Sequence, residues 1–404
     1  MSFRTKGAAL VILLFLSTTS AMAQAADSSS AKETSAEPDA IHVNSSSLRT
    51  KPQELLRWMD GKGLTGQISL VNDWSKNFRG GACSAGSVDR YLFKTSLTLD
   101  MEKFAGWKGG TAFASLYQRW GGQGSEYVGD AQGFSNIDAT AGTGLYEVWF
   151  EQKLWADRLR VKAGKVDANT EFAYVENGSD FLNSSMGYSP TILPFPTYPE
   201  PRPGLNVFLR PVDGYYLGVG VYDIAHSGAM PIVEAGRRWK RGQAELPGRF
   251  AAGFWRQNGP VPCLDGDSVG ATQGFYFVME QSLWGRPRPT EGSDQTLSAF
   301  LQYGHANGEV SPFTHHLGGG LVLTRPLARR QRDSVGLGAT WVRFSEAPEA
   351  GFQQSGELAI EAYYKIRVLR SLNLVPDLQF IHHPGGLSCQ RDSVVFTPRL
   401  TLTF

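Results

Sequence analysis

Gly61, Gly63 and Gly66 in GKGLTG have the spacing of a dinucleotide loop, whose backbone N–H groups cradle a pyrophosphate at a helix N-terminus. An alternating stretch follows here in place of a helix, so a nucleotide role is set aside. The segment Ala82-Cys83-Ser84-Ala85-Gly86 is one glycine short of a nucleophile elbow and lies between alternating stretches, which argues against a hydrolase. The pairs His315-His316 and His382-His383 could ligate a metal, yet neighbours on a strand point to opposite faces, so each pair is expected to split. There is no Walker loop and hence no sign of energy coupling. No catalytic residue, metal or cofactor is assigned.

The chemistry must then come from a surface, and composition narrows which kind. The chain has 404 residues, 41% hydrophobic and 19% charged, too polar for a bundle of membrane helices. Lys and Arg number 39 against 38 Asp and Glu, so nothing suggests nucleic acid as a partner. Residues 1–23 read as a signal peptide: Arg4 and Lys6 form a basic start, Ala8 to Leu16 an apolar run, and Ala21-Met22-Ala23 a cleavage site. Residues 24–63 read as a periplasmic leader, disordered through Ser47 and ending in a short helix in KPQELLRWM that Gly61 and Gly63 stop.

From residue 64 to 404 the hydrophobic period is two. Val394, Phe396, Pro398, Leu400, Leu402 and Phe404 share one parity, and Val395, Thr397, Arg399, Thr401 and Thr403 the other. The same split runs through Tyr91 to Met101 and through Glu357 to Val368. A soluble sandwich has strands of about five or six residues, whereas these run about ten to fourteen, the length of a tilted membrane-spanning strand. Sixteen such segments can be drawn, near 64–75, 89–102, 108–120, 144–155, 158–170, 204–211, 215–224, 231–240, 249–258, 272–284, 295–305, 314–326, 334–345, 355–368, 371–383 and 392–404. The fold class expected is all-β, a 16-stranded antiparallel transmembrane β-barrel, since closure removes the edges that lipid could not satisfy.

An even count places both barrel ends on the periplasmic side of an outer membrane, with short turns there and the long connections outside. Trp107, Trp155 and Trp284 then fall at periplasmic strand ends and Trp74 and Trp120 at outer ends, as an aromatic girdle requires. Cys83, Cys263 and Cys389 fall on one side, too few for a disulfide scaffold; pairing of Cys83 with Cys389 is the expectation.

Sixteen strands enclose an aqueous lumen, so function is sought inside. The polar parity supplies Lys94, Asp100, Arg119, Glu147, Trp149, Glu151, Arg160, Lys162, Glu280, Glu361, Lys365, Arg367, Asp377 and Arg399, a lining of mixed sign. Tyr117 and Arg119 take the inward phase while Leu116, Gln118 and Trp120 face out. The connection from Glu171 to Pro203 spans 33 residues and carries Phe172, Tyr174, Phe181, Tyr188, Phe195 and Tyr198. So apolar a loop is expected to fold inward and narrow the lumen, its return leg stiffened by six prolines from Pro190 to Pro203. Lys165 and Asp167 fall on the apolar phase, so either the strand ends at Gly164 or a bulge turns them inward.

Several segments taken together resemble a family. EVWFEQKLWADRLRVKAGKVDANTEFA, the ELPGRF hairpin, LVPDLQFIHHPGG from Leu374 to Gly386 and the terminal Phe404 are similar to carbohydrate-selective porins of the OprB type, over roughly Arg49 to Phe404. The N-terminal piece departs from that family's usual tryptophan-glycine-glycine start. The resemblance implies passive diffusion of small neutral sugars such as glucose through an outer-membrane channel. By motif the family's constriction arginine corresponds to Arg119 in SLYQRWGG, and its constriction aromatic followed by proline to Tyr198-Pro199, with Tyr where Trp is common. Its acidic partner belongs to the second outer loop, where Asp138 is the candidate. With Tyr117, Glu147 and Trp149 these make the expected site: ring faces stack on Tyr198 or Trp149 and hydroxyls bond the Arg119 fork and nearby carboxylates. A conducting site must release its solute, so millimolar affinity, about −4 kcal/mol, is expected. A general diffusion porin is the nearer alternative, and a non-transport barrel, enzyme or surface receptor, the more distant one. Membrane lipids are expected partners, and the oligomeric state is left open, a homo-oligomer included.

Overall fold

The computed structural model describes residues 58–82, 84–224, 228–286, 295–327 and 329–404. The expected signal peptide, most of the leader and Cys83 lie outside the described residues. The first described residues, 58–61, form a helical turn. Sixteen strands follow. They are β1 (Leu64–Arg79), β2 (Ser87–Asp100), β3 (Gly110–Gly121), β4 (Gly142–Leu154), β5 (Leu159–Val166), β6 (Arg202–Leu209), β7 (Tyr215–Ile224) and β8 (Gly228–Arg241). The second half holds β9 (Leu246–Pro262), β10 (Ser268–Arg286), β11 (Gln295–Ala306), β12 (Phe313–Thr324), β13 (Ser334–Phe344), β14 (Gly356–Arg367), β15 (Leu372–His382) and β16 (Ser393–Thr403). Every strand pairs antiparallel with its sequence neighbours, and β1 meets β16 to close the barrel, with Ser69 opposite Thr403 and Asp73 opposite Arg399.

The period of two resolves into two faces. Leu205, Phe254, Met279, Leu301, Leu317, Leu337 and Leu378 stand exposed on the outside, where a soluble protein would place polar groups. Trp107, Trp155 and Trp284 are exposed at the end with the short turns, and Trp74 and Trp120 at the end with the long loops, Trp120 stacked on Tyr91 at 5.2 Å. We call these the turn end and the loop end.

The strand limits depart from the sequence reading where side chains cap the backbone. β2 stops at Asp100 because its carboxylate accepts from the N–H groups of Glu102 and Lys103, starting the helix Met101–Ala105. Asp100 is therefore a helix cap and not part of the lining. β5 stops at Val166 for the same reason: Asp167 accepts from Asn169 N and caps the turn Ala168–Thr170. This resolves the broken parity, with Lys165 remaining on the strand and Asp167 turned in by the loop.

Two loops fill much of the lumen. Residues 167–201, between β5 and β6, bury Phe172, Val175, Phe181, Leu182, Met186, Ile192 and Phe195 against Tyr222, Ile232, Trp255, Tyr276, Phe300 and Tyr363 of the wall. Phe181 meets Tyr363 edge-on at 4.8 Å and Phe300 at 5.6 Å. Full burial of such a side chain contributes about 1.5–3 kcal/mol, so this apolar inner face of β7–β14 holds the loop down. Residues 122–141, between β3 and β4, also cross inward. Ala131 N and Gln132 N donate to Glu357 of β14 at 2.8 and 3.1 Å, and Gln379 Nε2 of β15 donates to Phe134 O at 2.8 Å.

The histidine pairs divide differently from expectation. His315 lies on the outer face with its ring 4.7 Å from His305, while His316 is buried inside between Ser189 Oγ and Thr340 Oγ1, so this pair splits. His383 leaves the strand with φ 54° and its ring stacks on His382 at 3.7 Å, so that pair does not. Cys263 and Cys389 are free thiols, so Cys389 is not paired with Cys83 here.

Candidate constriction

Carboxylates of the wall hold the longer loop by its backbone. Glu361 on β14 accepts from Leu182 N and Asn183 N at 2.5 and 3.1 Å, Glu280 on β10 from Asn177 N at 2.8 Å, and Glu234 on β8 from Ala173 N at 2.9 Å. Lys365 adds an ion pair to Asp180 at 2.6 Å. Buried carboxylates accepting backbone N–H groups make strong, directional anchors. Several of the charges expected to line the lumen, Glu280, Glu361 and Lys365 among them, thus position the loop, and Glu234, absent from the expected lining, does the same.

The shorter loop is held by arginines. Arg399 binds Asp73 through Nε at 2.6 Å and Nη2 at 2.7 Å and also reaches Asn136 Oδ1 at 2.8 Å. Arg90 donates to Ser75 Oγ and to Asp138, and Asp138 accepts from Gly124 N at 2.9 Å. Arg119 lies on the inward side as its parity requires, but it is only 2% exposed. Its Nε donates to Ile137 O at 3.1 Å and its Nη2 to Gly122 O at 2.6 Å, with Asp138 at 3.8 Å. The guanidinium is a strap for the loop, and Asp138 is shared between two arginines. Burial pushes the Asp138 carboxyl above its ordinary range, with Arg90 acting in the opposite sense.

Between the two loops and the wall of β2–β4 stand three tyrosines. The ring centroids of Tyr117, Tyr146 and Tyr198 form a triangle with sides of 5.9, 6.2 and 6.1 Å, every pair edge-to-face. Lys94 Nζ lies 4.5 Å from the Tyr146 ring and 5.6 Å from that of Tyr198, within cation–π range. Tyr146 donates its hydroxyl proton to Asp167, and Tyr198 OH donates to Ile137 O at 3.2 Å. Burial pushes the Tyr198 hydroxyl up to about 12, so it stays a neutral donor.

Tyr146 was not among the expected residues, because Glu147, Trp149 and Glu151 define the inward phase of β4 and would send Tyr146 outward. The register of β3 with β4 shifts between Ser115 and Leu116, leaving Tyr146 as an extra residue that turns in. Glu147 is engaged by Asp167 N at 3.1 Å. Trp149 stacks on Phe113 at 4.8 Å, with Lys162 Nζ 4.0 Å over its ring. Beside it Arg160 and Lys162 alternate with Glu151 and Glu171 at 2.5 to 3.4 Å, a closed set of opposite charges.

A cavity of about 950 Å3 meets the triangle at Tyr198 and is lined in part by Lys94, Asn136, Asp138, Asp167 and Arg399. Another of about 980 Å3 lies toward the turn end, bordered by Glu176, Asn177, Arg238, Arg249 and Glu280. Among the described residues no cluster of three His, Cys, Asp or Glu side chains is gathered for a metal.

A closed barrel with an apolar exterior, girdled by tryptophans and narrowed by two inward loops beside a cluster of tyrosines, defines an outer-membrane channel of the porin class. Residues 88–404 match the family described as "Carbohydrate-selective porin, OprB family", and the chain belongs to that family. It is 22% identical over 387 residues to Porin B of Pseudomonas aeruginosa (strain PAO1), covering 81% of this chain and 84% of that one. The high-pH structure of Pseudomonas putida OprB superimposes with a TM-score of 0.76 at 19% identity, over 88% of this chain and 97% of that one. The low-pH structure of the same protein gives 0.57 at 19% identity, over 92% and 100%. The chain is a sugar porin of the Gram-negative outer membrane, a channel and not an enzyme.

Proposed function

We propose that neutral sugars pass this barrel beside the Tyr117, Tyr146 and Tyr198 cluster, through the cavity that Tyr198 and Lys94 border, and that this passage supplies the preference for sugar over other small solutes. The observation that carries the reading is the set of three edge-to-face rings with Lys94 against two of them. A pyranose has an apolar face that packs on an aromatic ring and a hydroxyl rim that seeks donors and acceptors. Lys94, Asn136, Asp138 and Asp167 border the same cavity and supply both kinds. Cation and carboxylates stand on one rim, so the gap presents no dominant field, and a neutral solute crosses with little electrostatic cost. Trp149, stacked on Phe113 and with Lys162 over its ring, is engaged by the wall and does not border that cavity. Arg119 and Asp138 act by holding residues 122–141 against the gap, and Glu147 by fixing Asp167.

Single-channel recording with glucose added to one side tests the reading. Saturable block of the ionic current at millimolar sugar, weakened in Tyr198→Ala, is the expected result. Conductance that sugar leaves unchanged would mark the protein as a general diffusion channel.

A further inference from the structure

At the turn end, the connections from β12 to β13 and from β14 to β15 border a recess of about 380 Å3 lined by Arg329, Arg330, Arg332, Asp333, Arg367 and Arg370. The one carboxylate among them is fully engaged. Asp333 accepts from Arg330 Nε at 2.6 Å, Tyr364 OH at 3.1 Å and Arg367 N at 3.1 Å. Arg367 in turn donates to the Arg370 carbonyl. The guanidiniums of Arg329, Arg332 and Arg370 have no hydrogen-bond or ion-pair partner among the described residues and are exposed.

The recess lies on the lipid side of the rim. Tyr364 belongs to the outward phase of β14, opposite Val335, while Lys365 and Ser334 on the other phase reach Asp180 inside the lumen. Asp333, bonded to Tyr364, therefore marks the outer face. Leu327, Val368 and Leu369 stand beside the arginines, 56%, 50% and 60% exposed. Aliphatic tips next to unpaired cations, at the end of a membrane-spanning strand, fit the boundary where acyl chains give way to phosphates.

We propose that this recess seats the phosphate of an anionic phospholipid from the leaflet that meets the turn end, with Arg329, Arg332 and Arg370 as its ligands and Leu327, Val368 and Leu369 against its acyl chains. Guanidinium forks match phosphate oxygens in geometry as well as charge. The proposal is independent of what crosses the lumen.

Native mass spectrometry of the full chain in a neutral detergent, with phosphatidylglycerol and phosphatidylcholine supplied equally, tests it. Phosphatidylglycerol should be retained about ten-fold over phosphatidylcholine, and Arg329→Gln/Arg332→Gln/Arg370→Gln should abolish that preference while single-channel conductance persists. Arg332→Gln and Arg370→Gln made singly should each weaken it, which keeps the test open should the triple variant fail to fold. Equal retention of the two lipids, an unchanged preference in these variants, or displacement of the lipid by an equal concentration of inorganic phosphate would overturn it.

Discussion

Asn136 N donates to Leu182 O at 2.7 Å, and this bond joins the two inward loops in the lumen. Ser184 N returns the contact by donating to Gly133 O at 2.8 Å. The loops come from opposite sides of β4 and β5 and are anchored on different strands, so the bridge makes one partition out of two separate segments. What the gap excludes depends on how firmly that partition is held.

Glu361 is the anchor nearest the bridge. Glu361→Ala removes the acceptor for Leu182 N and Asn183 N and leaves two buried donors unpaired, at a cost of about 1–3 kcal/mol for each. The expected outcome is a larger, noisier single-channel conductance with weakened sugar block and a lower unfolding temperature. Unchanged conductance would show that the apolar contacts of Phe181 suffice to hold the loop.

Tyr198 and Lys94 test the gap itself. Tyr198→Ala removes a stacking face, and loss of about 1 kcal/mol corresponds to a several-fold rise in the sugar concentration giving half block. Lys94→Met keeps the bulk against Tyr146 and removes the charge, so reversal potentials in a salt gradient should move toward cation selectivity with the barrel no less stable.

Arg119 should behave differently from Lys94. Arg119→Gln leaves Ile137 O and Gly122 O without their guanidinium donor, and the measurable effect is loss of loop order and of thermal stability by about 1–3 kcal/mol. Arg119→Lys keeps the charge but not the fork and should restore little of either. A large change in ion selectivity without loss of stability would instead give Arg119 direct contact with the permeant solute.

The shorter loop also carries a pH dependence. Burial pushes the Asp130 carboxyl up to about 6. A carboxyl whose folded value is raised contributes stability that is complete below its unfolded value of about 3.9 and is lost as pH rises through the folded one. Asp130→Asn should therefore stabilise the fold at pH 7.5 by about 3 kcal/mol, seen as a raised unfolding temperature, and make little difference at pH 4. Thermal melts of both proteins at the two pH values decide it. An equal effect at both would assign the gain to something other than titration.

The strands and their two faces could be read from the chain because alternation over ten or more residues has no other economical explanation, and the parity of Tyr117 and Lys94 follows from it. Tyr146 could not be read, since a single-residue bulge reverses the phase of everything beyond it and leaves no signature in YEVWFE. The inward path of residues 167–201 was foreseeable from its aromatic content. Its anchors were not: Leu182 and Glu361 are 179 residues apart, and only the closed barrel sets them face to face. Arg119 was placed on the right side of the wall, but which loop carbonyls would meet its guanidinium depends on the fold of residues 122–141.

Because the oily underside of residues 167–201 is seated on β7–β14, the cavity at Tyr198 is eccentric, pressed toward the opposite staves. The cavity at Tyr198 is lined mostly from roughly residues 71–202, with Ile224, Phe313 and Arg399 as late contributions. The side chains around that cavity therefore come mostly from one contiguous stretch of the chain, whereas the cavity toward the turn end draws on β8–β10.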